Sequence, residues 1–480
     1  MPGPITFASI AREWQEDLLL HKEENKHDTP NYYASTPSTL TTSSTVHNFI
    51  TGTGDNIFSS ILPALESAES EIIFITCFWA RSSSLSQLAN TLRALSIKAQ
   101  ARGGWKLRVR IGLSSLSLFQ KIFQPHTITG QTYTPSTWVK TLGLPSPAEL
   151  GGLDLEIKSV FLLPFSVMHP KFIIVDRKRV FLPSCNVSWE SWFEGCIELS
   201  GLVVSQFVRF WLEFWSSNEH ERSLPPPPSP PHPSVTSLPS PQSPTPIHPS
   251  PLGPAHTHTP LPTHSIPTLF LPSPHHLNPR FAPFSSSPPL SPPTPLNTLL
   301  LTLLARANSS IYIQTPNLTA PPVLTALLRA LRRGVAVHIR TSARLMILEQ
   351  LVTAGTTTTR CVRKLVRRHR ALLSSATAAR DEDEEAGVGL VAPGALRVEF
   401  FEPLGGFRKE GMEGGEPQQS HLKLLIVDEA ATVLGSGNLD RASWYTSQEL
   451  GVAFFDGGVA GAVRGGVEGV IGGRVRGYYG

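Results

Sequence analysis

The 480-residue sequence predicts an α/β protein made of two pseudo-symmetric halves. Apolar runs typical of buried strands alternate with segments of helical spacing, in the order helix, strand, helix, strand. This order occurs over residues 64–115 and again, with similar element lengths, over residues 301–342. Such an internal duplication predicts two sandwiches, each a mixed sheet with helices, packed face to face within one chain.

Composition divides the chain into five segments. Residues 221–296 hold 26 of the 44 prolines and predict a disordered, partly polyproline-II linker. An alternative role for this linker is a docking strip for proline-recognition modules. The other boundaries place a helical or irregular N-terminal extension at 1–45, the two halves at 46–220 and 297–456, and a Gly-rich tail at 457–480. Ten glycines among the 24 tail residues argue against stable order there.

The overall charge, the apolar stretches and the cysteines say more about where the protein is located than about what it does. The net charge of +4 and the pI of about 8.9 favour neither nucleic acid nor an anionic membrane. The N-terminus carries early acidic residues and does not resemble a secretion signal, and no stretch approaches the ~18 apolar residues that cross a bilayer. Four cysteines without a CxxC pair indicate reduced thiols. We therefore expect an intracellular protein, cytoplasmic or peripherally attached to a membrane.

One set of chemistry-bearing residues is repeated in the two halves. Each set presents His, Lys, Asp, Ser and Asn in the same order, with 17 residues from His to Asn in both. The first set is His169, Lys171, Asp176, Ser184 and Asn186, and the second is His421, Lys423, Asp428, Ser436 and Asn438. A glutamate follows each set, at Glu198 and Glu449. Agreement at five positions on duplicated units argues against coincidence.

Strand geometry explains the His-x-Lys spacing. The runs FIIVD and LLIVD that follow the two motifs are rich in β-branched residues and predict buried strands. Alternate residues of a strand face the same way, so the His and Lys of each pair should project together. Each half then supplies an imidazole, an ammonium group and a carboxamide near one point, and neither half makes a complete site alone.

Two such sets suit the cleavage of a phosphodiester. One neutral imidazole can attack phosphorus, and a protonated one can deliver a proton to the leaving oxygen. Two lysines and two asparagines can hold the non-bridging oxygens, and no metal or cofactor is required. Glu198 and Glu449 are candidates for orienting the imidazoles. Asp176 and Asp428 fit either a supporting catalytic role or a strand-end role in which they bind backbone.

The two blocks resemble the paired HKD motifs of the phospholipase D superfamily. The IYIQTPN segment and the helix followed by RGV resemble its cardiolipin-synthase-like branch. The resemblance implies a phosphohistidine intermediate, with His169 as nucleophile and His421 as general acid. It also implies phosphate-holding roles for Lys171, Lys423, Asn186 and Asn438, supported by Ser184 and Ser436. Pro183 stands where the family usually has glycine, a departure expected to stiffen the strand end before Asn186.

The resemblance implies an enzyme that acts on phospholipids, with water or an alcohol as acceptor. Apolar residues beside the first motif and a basic helix predicted at 361–373 suit a lipid and peripheral membrane contact. The same basic helix fits a solvated face balanced by the acidic run 381–385. A nuclease or DNA-end phosphodiesterase, and a non-catalytic scaffold that uses the proline-rich segment, stay open as alternatives. A mitochondrial location follows only from the cardiolipin-synthase analogy.

Overall fold

A computed structural model describes most of the chain. It covers residues 3–103, 105–162, 166–216, 256–261, 264–276, 290–382, 391–409, 412–413 and 415–480. Most of the predicted proline-rich linker therefore lies outside the described residues. Within the described part, no helix is long and apolar enough to cross a membrane.

The first half begins with helices that lead into an alternating α/β unit. Its elements are α1 (Phe7–Leu20), α2 (Lys22–Asn25), a short 3₁₀ helix (Pro37–Leu40), β1 (Thr41–Gly52), α3 (Gly54–Glu66), β2 (Glu71–Ile75), α4 (Ser83–Ala101), β3 (Leu107–Leu113), α5 (Leu118–Phe123), β4 (Gln131–Thr132), α6 (Pro135–Leu142), β5 (Leu153–Ser159), β6 (Phe161–Leu162), β7 (Ser166–Val167), β8 (Phe172–Val175), β9 (Arg179–Pro183), β10 (Trp192–Ser200) and α7 (Val203–Phe214).

The second half repeats this order. Its elements are β11 (Thr257–Pro260), β12 (Ser265–Ser273), α8 (Pro295–Arg306), β13 (Ser310–Gln314), α9 (Pro321–Arg332), β14 (Ala336–Thr341), α10 (Ile347–Ala354), α11 (Thr358–Glu382), β15 (Leu396–Phe401), β16 (Gln419–Ser420), β17 (Leu424–Val427), β18 (Ala431–Gly435), α12 (Arg441–Tyr445), β19 (Glu449–Phe455), α13 (Gly457–Ile471) and β20 (Val475–Tyr479).

One mixed sheet runs through both halves. From the first half outward to the second, the order is β5-β3-β2-β8-β9-β10-β1-β12-β19-β18-β17-β13-β14-β15. In each half the three outer strands are parallel and the next four are antiparallel. The pseudo-dyad therefore lies between β1 and β12, where Thr41 pairs with Leu269 and Thr45 with Ser265. The α/β prediction with two related halves is confirmed, but the halves join edge to edge rather than face to face.

The prediction of a disordered linker is wrong for the residues of β11 and β12. Strand β12 has the sequence SIPTLFLPS and pairs with both β1 and β19, at the centre of the sheet. Ile266, Leu269, Phe270 and Leu271 are fully buried, so the segment belongs to the core despite its two prolines. Proline is tolerated in a strand where its missing N–H is not needed by the ladder. By its place in the sheet, β12 is the second-half counterpart of β1.

The Gly-rich tail is also ordered, against expectation. Val459, Val463, Val467 and Val470 of α13 are fully buried and lie on one face of the helix. After the helix, β20 pairs with β15 at the edge of the sheet. The valine spacing decides the structure of this segment, because burial of an apolar stripe offsets the low helix propensity of glycine.

The N-terminal helix α1 packs onto the second half. Ile10, Trp14 and Leu18 share its buried face, and each is at most 1% exposed. The indole Nε1 of Trp14 donates a hydrogen bond to the carbonyl oxygen of Pro295, at the start of α8, at 2.9 Å. The segment before the first sandwich therefore helps to tie the two halves together.

Candidate active site

Both His-x-Lys motifs lie in extended segments directly before a central strand. His169 precedes β8 and His421 precedes β17. The backbone N–H of His169 donates to the carbonyl oxygen of Gln448 at 2.9 Å, and that of His421 donates to Phe193 at 2.8 Å. Each motif is thus bound to the backbone of the opposite half. This exchange brings the two imidazoles to one junction between the halves.

Each imidazole contacts a carboxylate from the opposite half. Nδ1 of His169 lies 2.8 Å from Oε2 of Glu449, and Nδ1 of His421 lies 2.7 Å from Oε1 of Glu194. A carboxylate at Nδ1 accepts the N–H of that nitrogen and directs Nε2 away from it. Nε2 of His169 is thus available to a substrate, whereas Nε2 of His421 also contacts Nζ of Lys423. Both carboxylates are buried. The site therefore requires both halves of the chain.

The motif serines hold these carboxylates in place. The hydroxyl of Ser184 donates to Glu194 and accepts the N–H of Gly195 at 2.9 Å. In the second half, the hydroxyl of Ser436 donates to Glu449 and accepts the N–H of Leu450 at 3.0 Å. Ser184 and Ser436 are therefore positioned to orient the glutamates, which in turn orient the imidazoles.

The structure corrects the expectation for Glu198. This residue lies further along β10 and binds Asn48, at 2.9 Å, and Arg179. The place beside His421 belongs to Glu194, which sequence reasoning missed. Glu194 follows its motif serine by 10 residues and Glu449 by 13, because the second half inserts α12 before its strand. Allowing a three-residue gap in the comparison of the two blocks would have paired Glu194 with Glu449.

The two motif lysines are buried next to the imidazoles. Nζ of Lys171 donates to the carbonyl oxygen of His169 at 2.9 Å, and Nζ of Lys423 lies 2.8 Å from Nε2 of His421. Lys171 is 1% exposed and Lys423 is 4% exposed. A phosphate placed between the imidazoles would thus meet two ammonium groups that have little other solvation.

A cleft of about 1250 Å³ opens over the two histidines. Asn186 and Asn438 line it together with His169 and His421. Asn186 accepts the N–H of Phe78 at 3.1 Å, and Asn438 donates to Asp440 at 3.2 Å. The departure at Pro183 leaves this arrangement in place, because Pro183 pairs with Cys196 in β10 while Asn186 faces the cleft.

A family model matches the second half of the chain. Residues 300–465, which contain the second His-x-Lys motif, match the family model described as cardiolipin synthase, PLD-like domain. The second half of this chain is therefore similar to a phospholipase D-like domain. The resemblance noted at the two motifs is thereby confirmed. A search of curated proteins gives no match.

One solved structure shares its fold with most of this chain. Phosphatidylserine synthase from Haemophilus influenzae Rd KW20 is 13% identical, with a TM-score of 0.50, over 95% of this chain and 92% of that chain. Nuc, a phospholipase D family member from Salmonella typhimurium, is 18% identical, with a TM-score of 0.25, over 39% and 92%. Polyphosphate kinase from Porphyromonas gingivalis is 11% identical, with a TM-score of 0.40, over 84% and 44%. The first of these likenesses shows that the chain shares the fold of that synthase.

The aspartates of the two repeated motifs have structural contacts. Asp428 accepts the N–H groups of Asn308, Ser309 and Ser310 at 2.8–2.9 Å, and also the hydroxyl of Ser309. Asp176 accepts the equivalent four hydrogen bonds from residues 69–71 in the first half. Each carboxylate therefore fastens the turn after its strand to the start of the outer strand, which supports the strand-end role.

Replacement of Asp428 tests this role. We expect Asp428→Asn to lower the free energy of unfolding by about 1–2 kcal/mol, because the amide accepts fewer of the four hydrogen bonds. Denaturant unfolding at pH 7 measures the change, and Asp17→Asn, at a half-exposed carboxylate on α1, serves as the matched control. A variant with unchanged stability but abolished turnover would instead assign Asp428 to the chemistry.

Burial sets the protonation of the groups at this site. It lowers the pKa of His169, against the opposing effect of Glu449, and lowers the pKa of His421 to about 3 despite Glu194. Burial raises the pKa of both glutamates, but their partner imidazoles outweigh this effect and hold the pKa below the usual value. In the free protein at pH 7, both imidazoles are therefore neutral and both carboxylates are charged.

Lys423 has the most shifted ammonium group of the site. Burial lowers the pKa of Lys423 to about 7, and the charge of nearby Lys171 adds to the effect while Glu194 opposes it. The positive charge beside His421 is therefore present below pH 7 and is lost as the pH rises through that value. Binding of an anionic phosphate would favour the charged form and raise the pKa again.

These shifts predict a bell-shaped pH profile for kcat/KM. Its acid limb should lie below pH 6.5, because His169 must be neutral and its pKa is lowered. Its alkaline limb should lie near pH 7, where Lys423 loses its proton. Lys423→Arg should remove the alkaline limb, since a guanidinium stays charged, whereas Lys26→Arg at the exposed surface should leave it in place. A wild-type profile that stays flat from pH 6 to 8 would contradict this assignment.

Proposed function

We propose that the protein is a phospholipase D-type phosphodiesterase that acts on phospholipids through a phosphohistidine intermediate. The observation that carries the proposal is the exchange of carboxylates, in which Glu449 orients His169 and Glu194 orients His421 across the junction. Two imidazoles held in this way within one cleft can serve opposite faces of a single phosphorus atom. The phospholipase D-like domain of the second half supports the same chemistry.

In the first step His169 acts as the nucleophile. Its Nδ1–H is held by Glu449, so the lone pair on Nε2 attacks phosphorus and forms a P–N bond. The bond between phosphorus and the head-group oxygen breaks. His421, which is neutral in the free protein and takes up a proton when the anionic phosphate binds beside it, delivers that proton to the oxygen. His169 suits the nucleophilic role because its side chain is 13% exposed to the cleft, whereas that of His421 is 3% exposed.

In the second step the same groups work in reverse. His421, now neutral, takes a proton from water or from an alcohol acceptor, whose oxygen attacks phosphorus. The P–N bond breaks, and the electron pair returns to Nε2 of His169. Water gives phosphatidic acid, and an alcohol gives a new phosphodiester, so the reaction branches at this step.

Polar groups along the cleft hold the phosphate oxygens. Lys171 and Lys423 supply two ammonium groups, and Asn186 and Asn438 supply carboxamides at the cleft wall. Their donors favour the transition state, in which negative charge accumulates on the non-bridging oxygens. Loss of one such donor typically costs about 10²-fold or more in rate.

The lining of the cleft favours a lipid over a nucleic acid. Phe161, Leu348, Val352, Phe407 and Met412 place apolar surface beside the reacting groups. Nucleic acid would call for a long basic groove that follows a phosphate backbone. We therefore rank the nuclease reaction second, and we retain peripheral membrane contact as part of the proposal.

The experiment is a product assay with two substrates. A labelled phospholipid with ethanol and a labelled oligonucleotide are incubated separately with the full chain. Phosphatidylethanol or phosphatidic acid supports the proposal, strand cleavage supports the nuclease reaction, and neither product points to a non-catalytic protein. His21→Asn on the surface of α1 is the matched histidine control and should form product at the wild-type rate.

A further inference from the structure

Helix α10 exposes the apolar side chains that a surface helix normally buries. Ile347, Leu348, Leu351 and Val352 are 41%, 79%, 38% and 56% exposed. They form two adjacent stripes at i, i+4 spacing. Leu348 and Val352 line the catalytic cleft, whereas Ile347 and Leu351 do not. The helix therefore extends the apolar surface of the cleft mouth outward.

The inward side of α10 is held by a polar residue. Gln350 is 3% exposed, and its amide donates to Asn317 at 2.9 Å and to the carbonyl oxygen of Leu345 at 2.7 Å. Its Oε1 accepts the N–H of Thr358 at 2.6 Å. These hydrogen bonds fix the polar side of α10 against the rest of the protein. The apolar side chains are therefore exposed in a helix that is firmly packed.

The first half presents an apolar side chain at the equivalent place. Helix α5 follows β3 as α10 follows β14, and these strands occupy corresponding positions in the two halves of the sheet. Phe123 at the end of α5 is 81% exposed, while Lys121 of the same helix lines the cleft. Exposed apolar groups thus flank the cleft on both sides of the pseudo-dyad.

Positive charge adjoins this surface. Helix α11 starts at Thr358, whose N–H is bound by Gln350 of α10, and it buries Val362, Leu365 and Val366. Its opposite face carries exposed basic side chains: Arg360, Arg363, Lys364, Arg367, Arg368 and Arg370. No acidic residue lies between positions 358 and 377 of this helix. An apolar helix followed by a basic helix matches the interior and the head groups of an anionic bilayer.

We propose that α10 and Phe123 form a docking surface for an anionic phospholipid bilayer, with the basic face of α11 against the head groups. The inference rests on the proposed function, because it supplies the membrane from which the substrate enters the cleft. Leu348 and Val352 would then receive the acyl chains at the cleft mouth, while Ile347, Leu351 and Phe123 enter the boundary between head groups and chains. The exposed apolar side chains favour a bilayer over a nucleic acid, which would bind the basic face alone.

Vesicle sedimentation tests the surface without requiring turnover. The full chain is mixed with phosphatidylcholine vesicles that contain or lack phosphatidylglycerol. We expect binding to the anionic vesicles, lowered at least about tenfold by the triple variant Ile347→Gln, Leu351→Gln and Phe123→Gln. The control replaces three apolar residues that are at least as exposed on average and lie away from the cleft, Leu20→Gln, Ile97→Gln and Leu202→Gln, and should bind as the wild type does.

A second measurement separates this inference from the proposed function. Hydrolysis of a short-chain phospholipid below its micelle concentration should be equal in the triple variant and the wild type, since none of the three residues lines the cleft. Vesicle binding without hydrolysis would refute the proposed function and keep the docking surface. Equal vesicle binding by the triple variant and the wild type would overturn the docking surface. It would also be overturned if the wild type did not bind vesicles but formed a dimer that the triple variant does not form.

Discussion

His169→Asn is expected to lower kcat/KM for phospholipid cleavage by at least about 10⁴-fold, because it removes the nucleophile that forms the covalent intermediate. Asparagine keeps a polar group of similar size near Glu449 but offers no lone pair of imidazole basicity. The folded structure should change little, since the backbone N–H of residue 169 still binds Gln448. Initial rates with a soluble phosphodiester and with vesicle-bound lipid measure the loss.

The surface variant His21→Asn controls for the loss of a histidine as such. Circular dichroism and the denaturant midpoint verify that His169→Asn is folded. A folded His169→Asn protein with activity within about tenfold of the wild type would exclude a nucleophilic role for this residue, since a lost nucleophile costs far more.

His421→Asn should lower kcat/KM by a factor that depends on the leaving group of the substrate. With an alkyl head group we expect kcat/KM to fall by about 10³-fold, because the general acid is absent. A p-nitrophenyl ester needs no proton on its leaving oxygen, so the first step should stay fast and the second, base-assisted step should become slow. Stopped-flow measurement should then show a burst of p-nitrophenol of about one equivalent per chain, followed by slow turnover.

The comparison with His169→Asn makes the burst decisive. That variant should give no burst with either substrate, because the intermediate cannot form. Equal losses on both leaving groups in His421→Asn would mean that His421 positions the phosphate rather than delivering the proton. A burst in His169→Asn and none in His421→Asn would reverse the two roles.

The chemistry of the site was accessible from the sequence because it is repeated. Two blocks with His, Lys, Asp, Ser and Asn at equal spacing specify both the groups and the strands that carry them. The runs FIIV and LLIV form β8 and β17, and the histidines just before them, His169 and His421, line one cleft. Periodicity and local spacing encode such features directly.

Features that depend on distant partners were harder to predict. Glu194 differs from Glu449 in its distance from the motif, and only the pairing of His421 with the opposite half reveals its place. Strand β12 contains Pro267 and Pro272 and lies beside a proline-rich segment, so composition masked its four buried apolar residues. In both cases a tertiary contact outweighs the local pattern.

The inverted helix α10 illustrates the same limit. Its sequence ILEQLVTA has the composition of an ordinary buried helix, and only the structure shows that Gln350 faces inward while the leucines face out. Hydrogen bonds from Gln350 to Asn317 and Thr358, which both lie outside the helix, hold this rotation of α10. An apolar sequence alone does not reveal whether its partner is the core or a membrane.

The central claim is that the two halves build one site with a single nucleophile, and mass spectrometry of the trapped intermediate tests it most directly. The full chain is mixed with short-chain phospholipid, quenched in alkali and digested. We expect one phosphatidyl adduct per chain, located on His169 and absent from His169→Asn. Adducts on both His169 and His421, or turnover without any adduct on His169, would contradict it.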